Sequence, residues 1–113
     1  MAAAPQRLRR RAEFLRVAAK GRRAAVHGLV LQALRRDDEG PAQLGFTVTR
    51  KIGNAVVRNR TRRRLKEAAR ALLRDRAIEG VDLVLIGREG TRDRRFADLV
   101  DDLQRALVKA GIV

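Results

Sequence analysis

The sequence predicts an α+β fold with its elements in the order αββαβα. Segments 11–20, 54–76 and 91–110 have the spacing of apolar residues that is typical of amphipathic helices. Segments 25–35, 43–50 and 81–86 have the apolar or alternating patterns of strands. With 113 residues, 45% of them apolar, the chain is expected to form one domain with a core, preceded by a flexible basic arm at 1–10.

The first half of the chain predicts a helix and two strands. Phe14, Val17 and Ala18 share one face of the helix at 11–20, and Gly21 ends it. Segment 25–35 is apolar on both faces, whereas segment 43–50 alternates between apolar and small or polar residues. The turn-forming residues between these two strands predict that they pair as a hairpin.

The second half predicts a helix, a strand and a last helix. Asn54 is a good N-cap for the central helix, whose apolar stripe consists of Val57, Thr61, Leu65, Ala68 and Leu72. Segment 81–86 is a short strand of the buried type. The last helix has an apolar face of Phe96, Leu99, Val100, Leu103, Leu107 and Ala110, and a solvent face of Asp98, Asp101, Asp102 and Arg105.

The net charge of +14 is concentrated in two segments. Segments 1–36 and 50–76 each carry a net charge of +9, while 37–49 carries −3 and 77–113 carries −1. A concentrated basic surface indicates a polyanionic partner. The absence of Cys excludes disulfides, Cys-zinc sites and thiol nucleophiles. The chain has no apolar run long enough for a membrane span or a signal peptide, so we expect a cytoplasmic protein without a membrane partner.

The central helix contradicts the usual placement of charge in helices. Its first two turns contain Arg58, Arg60, Arg62, Arg63 and Arg64, although cations near a helix N-terminus oppose the helix dipole. Asn59, Arg63, Lys66, Arg70 and Arg74 lie opposite the apolar stripe. Since no acidic residue compensates these charges within the first three turns, an external anion is expected to do so. A solvated charged face is the simpler alternative, but such faces usually mix both signs.

The residues of a protein nuclease are missing from the sequence. A metal nuclease needs clustered carboxylates or histidines, and the candidates here, Asp37-Asp38-Glu39 and Asp101-Asp102, are interpreted as a turn and a solvent-facing helix surface. His27 is the single histidine, interpreted as a strand residue, and there is no Ser for a Ser triad. We therefore predict no catalytic residue, no metal ligand and no small-molecule substrate for the chain alone.

Segment 45–67, GFTVTRKIGNAVVRNRTRRRLKE, closely resembles the signature of the bacterial ribonuclease P protein subunit. Its central RNR motif is Arg58-Asn59-Arg60. Segments 11–17 and 82–88 are similar to the first helix of that family and to the strand after its RNR helix. The resemblance implies a two-layer α/β sandwich like the second domain of small-subunit ribosomal protein five. Its small mixed sheet has a strand–helix–strand crossover through the basic helix.

The resemblance also implies the function. Proteins of this family bind a catalytic RNA that uses Mg²⁺ to remove the 5′ leader from precursor tRNA, and the protein alone is expected to be inactive. The catalytic RNA would be bound by Arg50, Lys51, Arg58, Asn59, Arg60, Arg62, Arg63, Lys66 and Arg70. The single-stranded leader would lie in a cleft with Phe14, Ala18, Gln32 and Arg11.

This sequence departs from the family pattern at three positions. Ala18 and Gln32 stand where many relatives have aromatic residues, which weakens the case for base stacking in the cleft. Arg64 stands where an apolar residue is common, and we expect its side chain to extend outward to solvent. Phe14 has a competing interpretation as a core residue, and Phe46 is interpreted as core.

Two other classes of function compete with the ribonucleoprotein subunit. A structural RNA-binding protein of the ribosomal type fits the composition and the fold class equally well. The RNR signature of this chain favours the ribonucleoprotein subunit. A nucleoid-type DNA-binding protein is disfavoured because the basic helix lies between two strands and has no helix-turn-helix partner.

Overall fold

The structure, a computed structural model, describes residues 4–74 and 76–113. The strands in this part of the chain are β1 (Gln6–Arg7), β2 (Arg22–Ala25), β3 (Leu29–Arg35), β4 (Gln43–Thr47) and β5 (Val81–Gly87). The helices are α1 (Arg11–Lys20), α2 (Ala55–Leu73), α3 (Glu89–Asp93) and α4 (Phe96–Lys109), with a short 3₁₀ turn at Arg50–Ile52. The predicted α+β fold is confirmed.

The five strands form one mixed sheet in the order β1-β4-β5-β3-β2. Strands β4 and β5 are parallel and are connected through α2, so the crossover implied by the family resemblance is present. The predicted hairpin of segments 25–35 and 43–50 is wrong, because β5 lies between β3 and β4 and pairs with both. The apolar pattern identified these strands but did not reveal which of them are neighbours.

Segment 25–35, predicted as one strand, is divided between two antiparallel strands. β2 and β3 are joined by a turn at 26–28, and the pairing brings Ala24 opposite Leu31. Gly28 allows this turn to pass close to α4, because a Cβ on Gly28 would lie 2.5 Å from Asp102 Oδ2. His27 therefore lies in an exposed turn rather than in a strand.

Two apolar clusters lie on opposite faces of the sheet. The larger one packs the sheet against α2 and α4 and contains the fully buried Leu31, Leu85 and Leu103. The smaller one lies under α1 and contains Leu8, Val17 and Val84, with Phe14 packed beside them. Alternation along β5 sends neighbouring residues to different clusters, as the pleat of a strand requires. The sheet is therefore covered on both faces.

The predicted basic arm is partly built into the sheet. Gln6 and Arg7 pair in parallel with Gln43 and Leu44 of β4, and Leu8 is 6% exposed. This differs from the expected flexibility at these positions, since two backbone hydrogen bonds and an apolar anchor hold the segment. Residues 1–3 of the predicted arm lie outside the described residues.

The predicted helix at 91–110 is interrupted between α3 and α4. Phe96, predicted to be on the buried face, is 42% exposed because it lies in the first turn of α4. Asp102, predicted to be solvated, is 1% exposed. Its carboxylate is bound by Arg94, a residue of the interruption itself.

A second ion-pair network connects the ends of three strands. Arg36, which follows β3, donates from Nη1 to Oδ1 of the buried Asp82 at 2.5 Å. It also donates from Nε to Asp38 Oδ2 at 3.0 Å and from Nη2 to the Pro41 carbonyl at 2.8 Å. One guanidinium thus organises the turn between β3 and β4 around a buried carboxylate.

Candidate nucleic-acid interface

Helix α2 begins where the sequence predicted its N-cap. The Asn54 side chain accepts a hydrogen bond from the Val57 backbone N–H at 3.0 Å. Gly53 has φ +152°, and a Cβ there would lie 2.9 Å from the Cβ of Val57. A residue with a side chain would therefore strain the turn that leads into the helix.

The predicted apolar stripe of α2 faces the core. Thr61, Leu65 and Ala68 are fully buried, and the Thr61 hydroxyl donates to the Val57 carbonyl at 2.8 Å. The opposite side of the helix and the preceding turn are defined here as the basic face of α2, which consists of Arg50, Lys51, Arg58, Asn59, Arg60, Arg62, Arg63, Lys66 and Arg70. Arg58, Arg62 and Lys66 are half-buried, and the other members are exposed.

The side chains of the basic face differ in the hydrogen bonds that they make within the protein. Arg58 donates to the Gly53 carbonyl at 3.0 Å, and Arg62 donates to Asn59 Oδ1 at 3.1 Å. Within the described part of the chain, Arg60 and Arg63 make no side-chain hydrogen bond or ion pair. These two guanidinium groups thus retain all their donors for an external acceptor.

Arg64 differs from the rest of the cluster because it points toward another helix. Its guanidinium donates to the carbonyls of Thr91, Arg92 and Arg94, where α3 ends. These carbonyls lack partners within a helix of that length. The predicted outward extension to solvent is wrong, since Arg64 is half-buried and caps a neighbouring helix.

Lys66 is the member of the basic face whose pKa is shifted, mainly by burial. Burial, followed by the nearby charges of Arg7 and Arg62, lowers the pKa of the Lys66 ammonium. The Lys66 Nζ lies 6.0 Å from the centre of the Phe46 ring, within the range of a cation–π contact. A bound anion beside Lys66 would favour its protonated form.

On the other face of the sheet, α1 and three strands form a second surface, defined here as the α1 cleft. Gln32, Val84 and Gly45 are in register across β3, β5 and β4, so their side-chain positions share one face. The Phe14 ring lies directly on Gly45, where a Cβ would be 2.7 Å from a ring atom. The absence of a side chain on Gly45 is what allows the aromatic ring to reach the sheet.

The predicted cleft residues occupy different parts of this surface. Phe14 and Gln32 are half-buried, while Arg11 and Ala18 are exposed on α1. Their spacing of three and four residues around Phe14 places Arg11 and Ala18 on the same side of the helix as the ring. The structure thus brings all four to the α1 side of the sheet. Phe14 also packs against the smaller core cluster, so its interpretation as a core residue is confirmed, and its contact with the leader stays a prediction.

Two cations near these surfaces were missed by sequence reasoning. Arg23 is paired with Gln32 in register, at the edge of the α1 cleft. Arg7 is paired with Leu44 and lies near Lys66. Neither strand containing them was predicted correctly, and no local pattern in a run of arginines distinguishes these two from their neighbours.

The acidic candidates do not form a catalytic cluster. Asp38 is held by Arg36 and by the Gly40 N–H, which together lower the pKa of its carboxyl group. Asp102 is buried against Arg94, whereas Asp101 is exposed. Among residues 4–74 and 76–113, no group of three or more His, Cys, Asp or Glu side chains is arranged to hold a metal ion. None of the helices in this same part of the chain is long and apolar enough to cross a membrane.

Comparison with known proteins agrees with this geometry. The family model described as Ribonuclease P matches residues 2–111. The ribonuclease P protein component of Gluconacetobacter diazotrophicus is 64% identical over 112 residues, which cover 99% of this chain and 97% of that protein. That of Paramagnetospirillum magneticum is 46% identical over 118 residues, with coverage of 98% and 86%.

Solved structures show the same fold. The RNase P protein of Staphylococcus aureus superposes with a TM-score of 0.77 at 26% identity, covering 94% of this chain and 95% of that one. The RNase P protein of Thermotoga maritima gives a TM-score of 0.75 at 26% identity, with coverage of 92% and 96%. The sequence match, the shared fold and the RNR helix together favour the ribonucleoprotein subunit over a ribosomal-type or nucleoid-type protein, and the chain belongs to the ribonuclease P protein family.

Proposed function

We propose that this subunit of the endoribonuclease RNase P, which acts in tRNA 5′ processing, binds its two RNAs on two different surfaces. The basic face of α2 binds the catalytic RNA of RNase P. The α1 cleft binds the single-stranded leader of precursor tRNA. Because the two surfaces lie on opposite faces of the sheet, one small protein is able to contact both RNAs at once.

The observation that carries the first assignment is the charge of the segment leading into and along α2. From Arg50 to Lys66 it contains eight cationic side chains and no acidic one. The two central arginines, Arg60 and Arg63, keep their donors available in the described structure. Guanidinium groups bind phosphate through two parallel hydrogen bonds, so an RNA backbone is the polyanion that fits this surface.

The second assignment is supported by the composition of the α1 cleft. It combines the half-buried ring of Phe14 with the cationic Arg11 and the amide of Gln32. Aromatic stacking with charge alongside is how proteins bind single-stranded RNA with modest sequence preference. With Ala18 in place of an aromatic residue, Phe14 is the one ring available for stacking on a base in this cleft.

The chemistry of leader removal is assigned to the RNA, which uses Mg²⁺. The described residues contain no carboxylate cluster to hold a catalytic metal ion, and none of the predicted site residues is an acid or a histidine. In this proposal the protein supplies positive charge and a leader site, and the RNA holds the metal ions. Its location in the cytoplasm is a prediction that follows from its RNA partners.

A cleavage assay tests this function. Precursor tRNA with a 5′ leader is incubated at low Mg²⁺ with the protein, with the cognate catalytic RNA, or with both. We expect rapid leader removal only with both, because the protein lowers the electrostatic cost of assembling the two RNAs. Cleavage by the protein alone would contradict the assignment of the chemistry to RNA. Absence of any enhancement, together with tight binding to ribosomal RNA, would support the ribosomal-type alternative.

A further inference from the structure

A cavity of about 580 Å³ lies between strand β1 and the C-terminal half of α2. It is defined here as the edge cavity. It is on the α2 side of the sheet, and so it is separate from the α1 cleft. Its volume is within the range of about 300–1,000 Å³ that is usual for ligand sites.

The floor of the edge cavity is apolar. It consists of Leu44 and Phe46 from β4 and Ala69 and Leu73 from α2. Leu44, Ala69 and Leu73 are buried, while Phe46 is half-buried and offers part of its ring to the cavity. Such a floor suits the flat apolar surface of a nucleobase, since every base has a face that stacks on an aromatic ring.

The rim of the edge cavity is cationic. Among the described lining residues it has five cations and no carboxylate: Arg7, Lys66, Arg70, Arg74 and Arg76. Arg7 comes from β1, whose pairing with Leu44 places the Arg7 side chain on the α2 side of the sheet. An apolar floor with a rim of one charge sign indicates a ligand that joins an aromatic group to an anion.

We propose that the edge cavity binds one unpaired nucleotide of RNA, with its base on Phe46 and Leu44 and its phosphate between Lys66, Arg70 and Arg7. This site rests on the proposed function, because α2 forms one of its walls and is assigned to RNA binding. It adds a base-stacking site to a helix otherwise assigned only contacts with the RNA backbone. The nucleotide comes either from the catalytic RNA or from the precursor.

Lys66 connects the two parts of the site. Its ammonium lies 6.0 Å from the Phe46 ring centre, and its pKa is lowered by burial and by the charges of Arg7 and Arg62. A phosphate beside Lys66 opposes each of these effects, because an adjacent anion favours the protonated amine. Nucleotide binding is therefore expected to raise the pKa of Lys66.

The chain contains no Trp and no Tyr, so one introduced Trp reports on a single position. Phe46→Trp places this probe in the edge cavity. Phe96→Trp, at an exposed position in the first turn of α4, is the matched control. We expect the catalytic RNA, or precursor tRNA added to the assembled complex, to quench the emission of the Phe46→Trp variant and to leave the control unchanged. Quenching by the first RNA or only after the second identifies the source of the nucleotide.

The outcomes separate this proposal from the proposed function. If the complex assembles and cleaves while Phe46→Trp shows no quenching with either RNA, the edge cavity binds no base. In that case RNA binding by α2 is unaffected. If the unmodified protein binds neither RNA, the proposed function itself fails and the cavity proposal fails with it.

A second measurement uses unmodified side chains and does not depend on how Phe46→Trp folds. Acetylation of the four lysines, read by mass spectrometry, is compared with and without RNA. We expect protection of Lys66, with Lys109 on α4 as the unprotected reference.

A pair of charge-reversal variants tests the rim of the edge cavity. Arg7→Glu is expected to weaken binding of the RNA about tenfold at fixed salt, whereas the same charge change in Arg105→Glu has little effect. Unprotected Lys66, or equal effects of the two variants, would overturn the proposal.

Discussion

Arg94 binds the buried carboxylate of Asp102 through two hydrogen bonds, from Nε to Oδ2 at 2.8 Å and from Nη2 to Oδ1 at 3.1 Å. Asp102 in turn raises the pKa of the Arg94 guanidinium. The backbone carbonyl of Arg94 accepts a hydrogen bond from Arg64 of α2. Through this one residue, the helix assigned to RNA binding is connected to the interior of α4.

Arg94 and Asp102 are predicted to stabilise the fold only as a pair. Arg94→Met leaves Asp102 as a buried carboxylate without its partner, so we expect the midpoint of thermal unfolding to fall by several degrees. The double variant Arg94→Met/Asp102→Leu is expected to recover most of the loss, because no charge then remains buried. Arg92→Met is the control, since its ion pair with Asp93 is exposed and long, at 3.6 Å. Circular dichroism during heating measures all three, and equal midpoints for Arg94→Met and Arg92→Met would contradict the prediction.

Arg64 is predicted to stabilise the fold rather than to bind RNA. Arg64→Met removes a charged donor from three carbonyls at the end of α3, which we expect to lower the free energy of unfolding by about 1.5–3 kcal/mol. Arg64→Lys is expected to restore part of this, since an ammonium does not reproduce the planar fork of a guanidinium. Urea denaturation measures the stability. The salt dependence of RNA binding should stay the same, and a reduced slope would show that Arg64 contacts phosphate.

Arg60 and Arg63 are predicted to contact the phosphates of the catalytic RNA. For each substitution by Ala, we expect the slope of log K against log salt concentration to decrease by roughly 0.7–0.9. Arg105→Ala on α4 removes the same charge away from the basic face and serves as control. Filter binding at several salt concentrations provides the slopes. A slope equal to that of the unmodified protein would exclude phosphate contacts by this part of α2.

Arg58 is expected to behave differently from these two arginines. Its hydrogen bond to the Gly53 carbonyl closes the turn before α2. Arg58→Ala is therefore predicted to reduce both the stability and the RNA affinity, whereas Arg63→Ala changes only the affinity. Measuring unfolding and binding on the same two variants tests this distinction.

Phe14 is predicted to distinguish precursor tRNA from mature tRNA. Phe14→Leu keeps an apolar side chain over Gly45 but removes the ring, so we expect binding of the precursor to weaken by about 1–3 kcal/mol and binding of mature tRNA to be unchanged. Gly45→Ala is a matched test, because its Cβ would displace the same ring. Affinities of the assembled holoenzyme for both RNAs are compared. Equal losses for precursor and mature tRNA would place Phe14 in the core alone.

The turn between β3 and β4 is predicted to lose stability in acid. The hydrogen bond from Arg36, followed by that from the Gly40 N–H, lowers the pKa of Asp38 in the folded state. The stabilisation is thus complete above the unfolded-state pKa of Asp38 and is lost as the pH falls through its lower folded-state pKa. Asp38→Asn is expected to be less stable than the unmodified protein at neutral pH and to approach it as the pH falls. A constant difference in urea unfolding at all pH values would contradict this.

Local patterns alone predicted the helices α1 and α2, the strand β5, the N-cap Asn54 and the buried stripe of α2. These features depend on residues within a few positions of one another, where periodicity and capping are decisive. The segment containing Arg58, Asn59 and Arg60 also identified the family, because its signature is contiguous. The cationic character of α2 therefore follows from the sequence alone.

Other features depend on contacts between distant parts of the chain. The sequence pattern did not show that β5 lies between β3 and β4. The apolar alternation of β4 is compatible with pairing to β3 as well as with pairing to β5. It also presented Asp102 as solvated, since the charge of a residue says nothing about a partner such as Arg94 that a helix break brings close. The edge cavity likewise exists only because β1 pairs with β4 and carries Arg7 toward Lys66. The sequence by itself thus determined most of the longer elements and which of them is basic. The tertiary structure decided where segments 25–35 and 91–110 are interrupted, that β1 joins the sheet and which elements are neighbours, because strand pairing and the burial of charge depend on residues far apart in the chain.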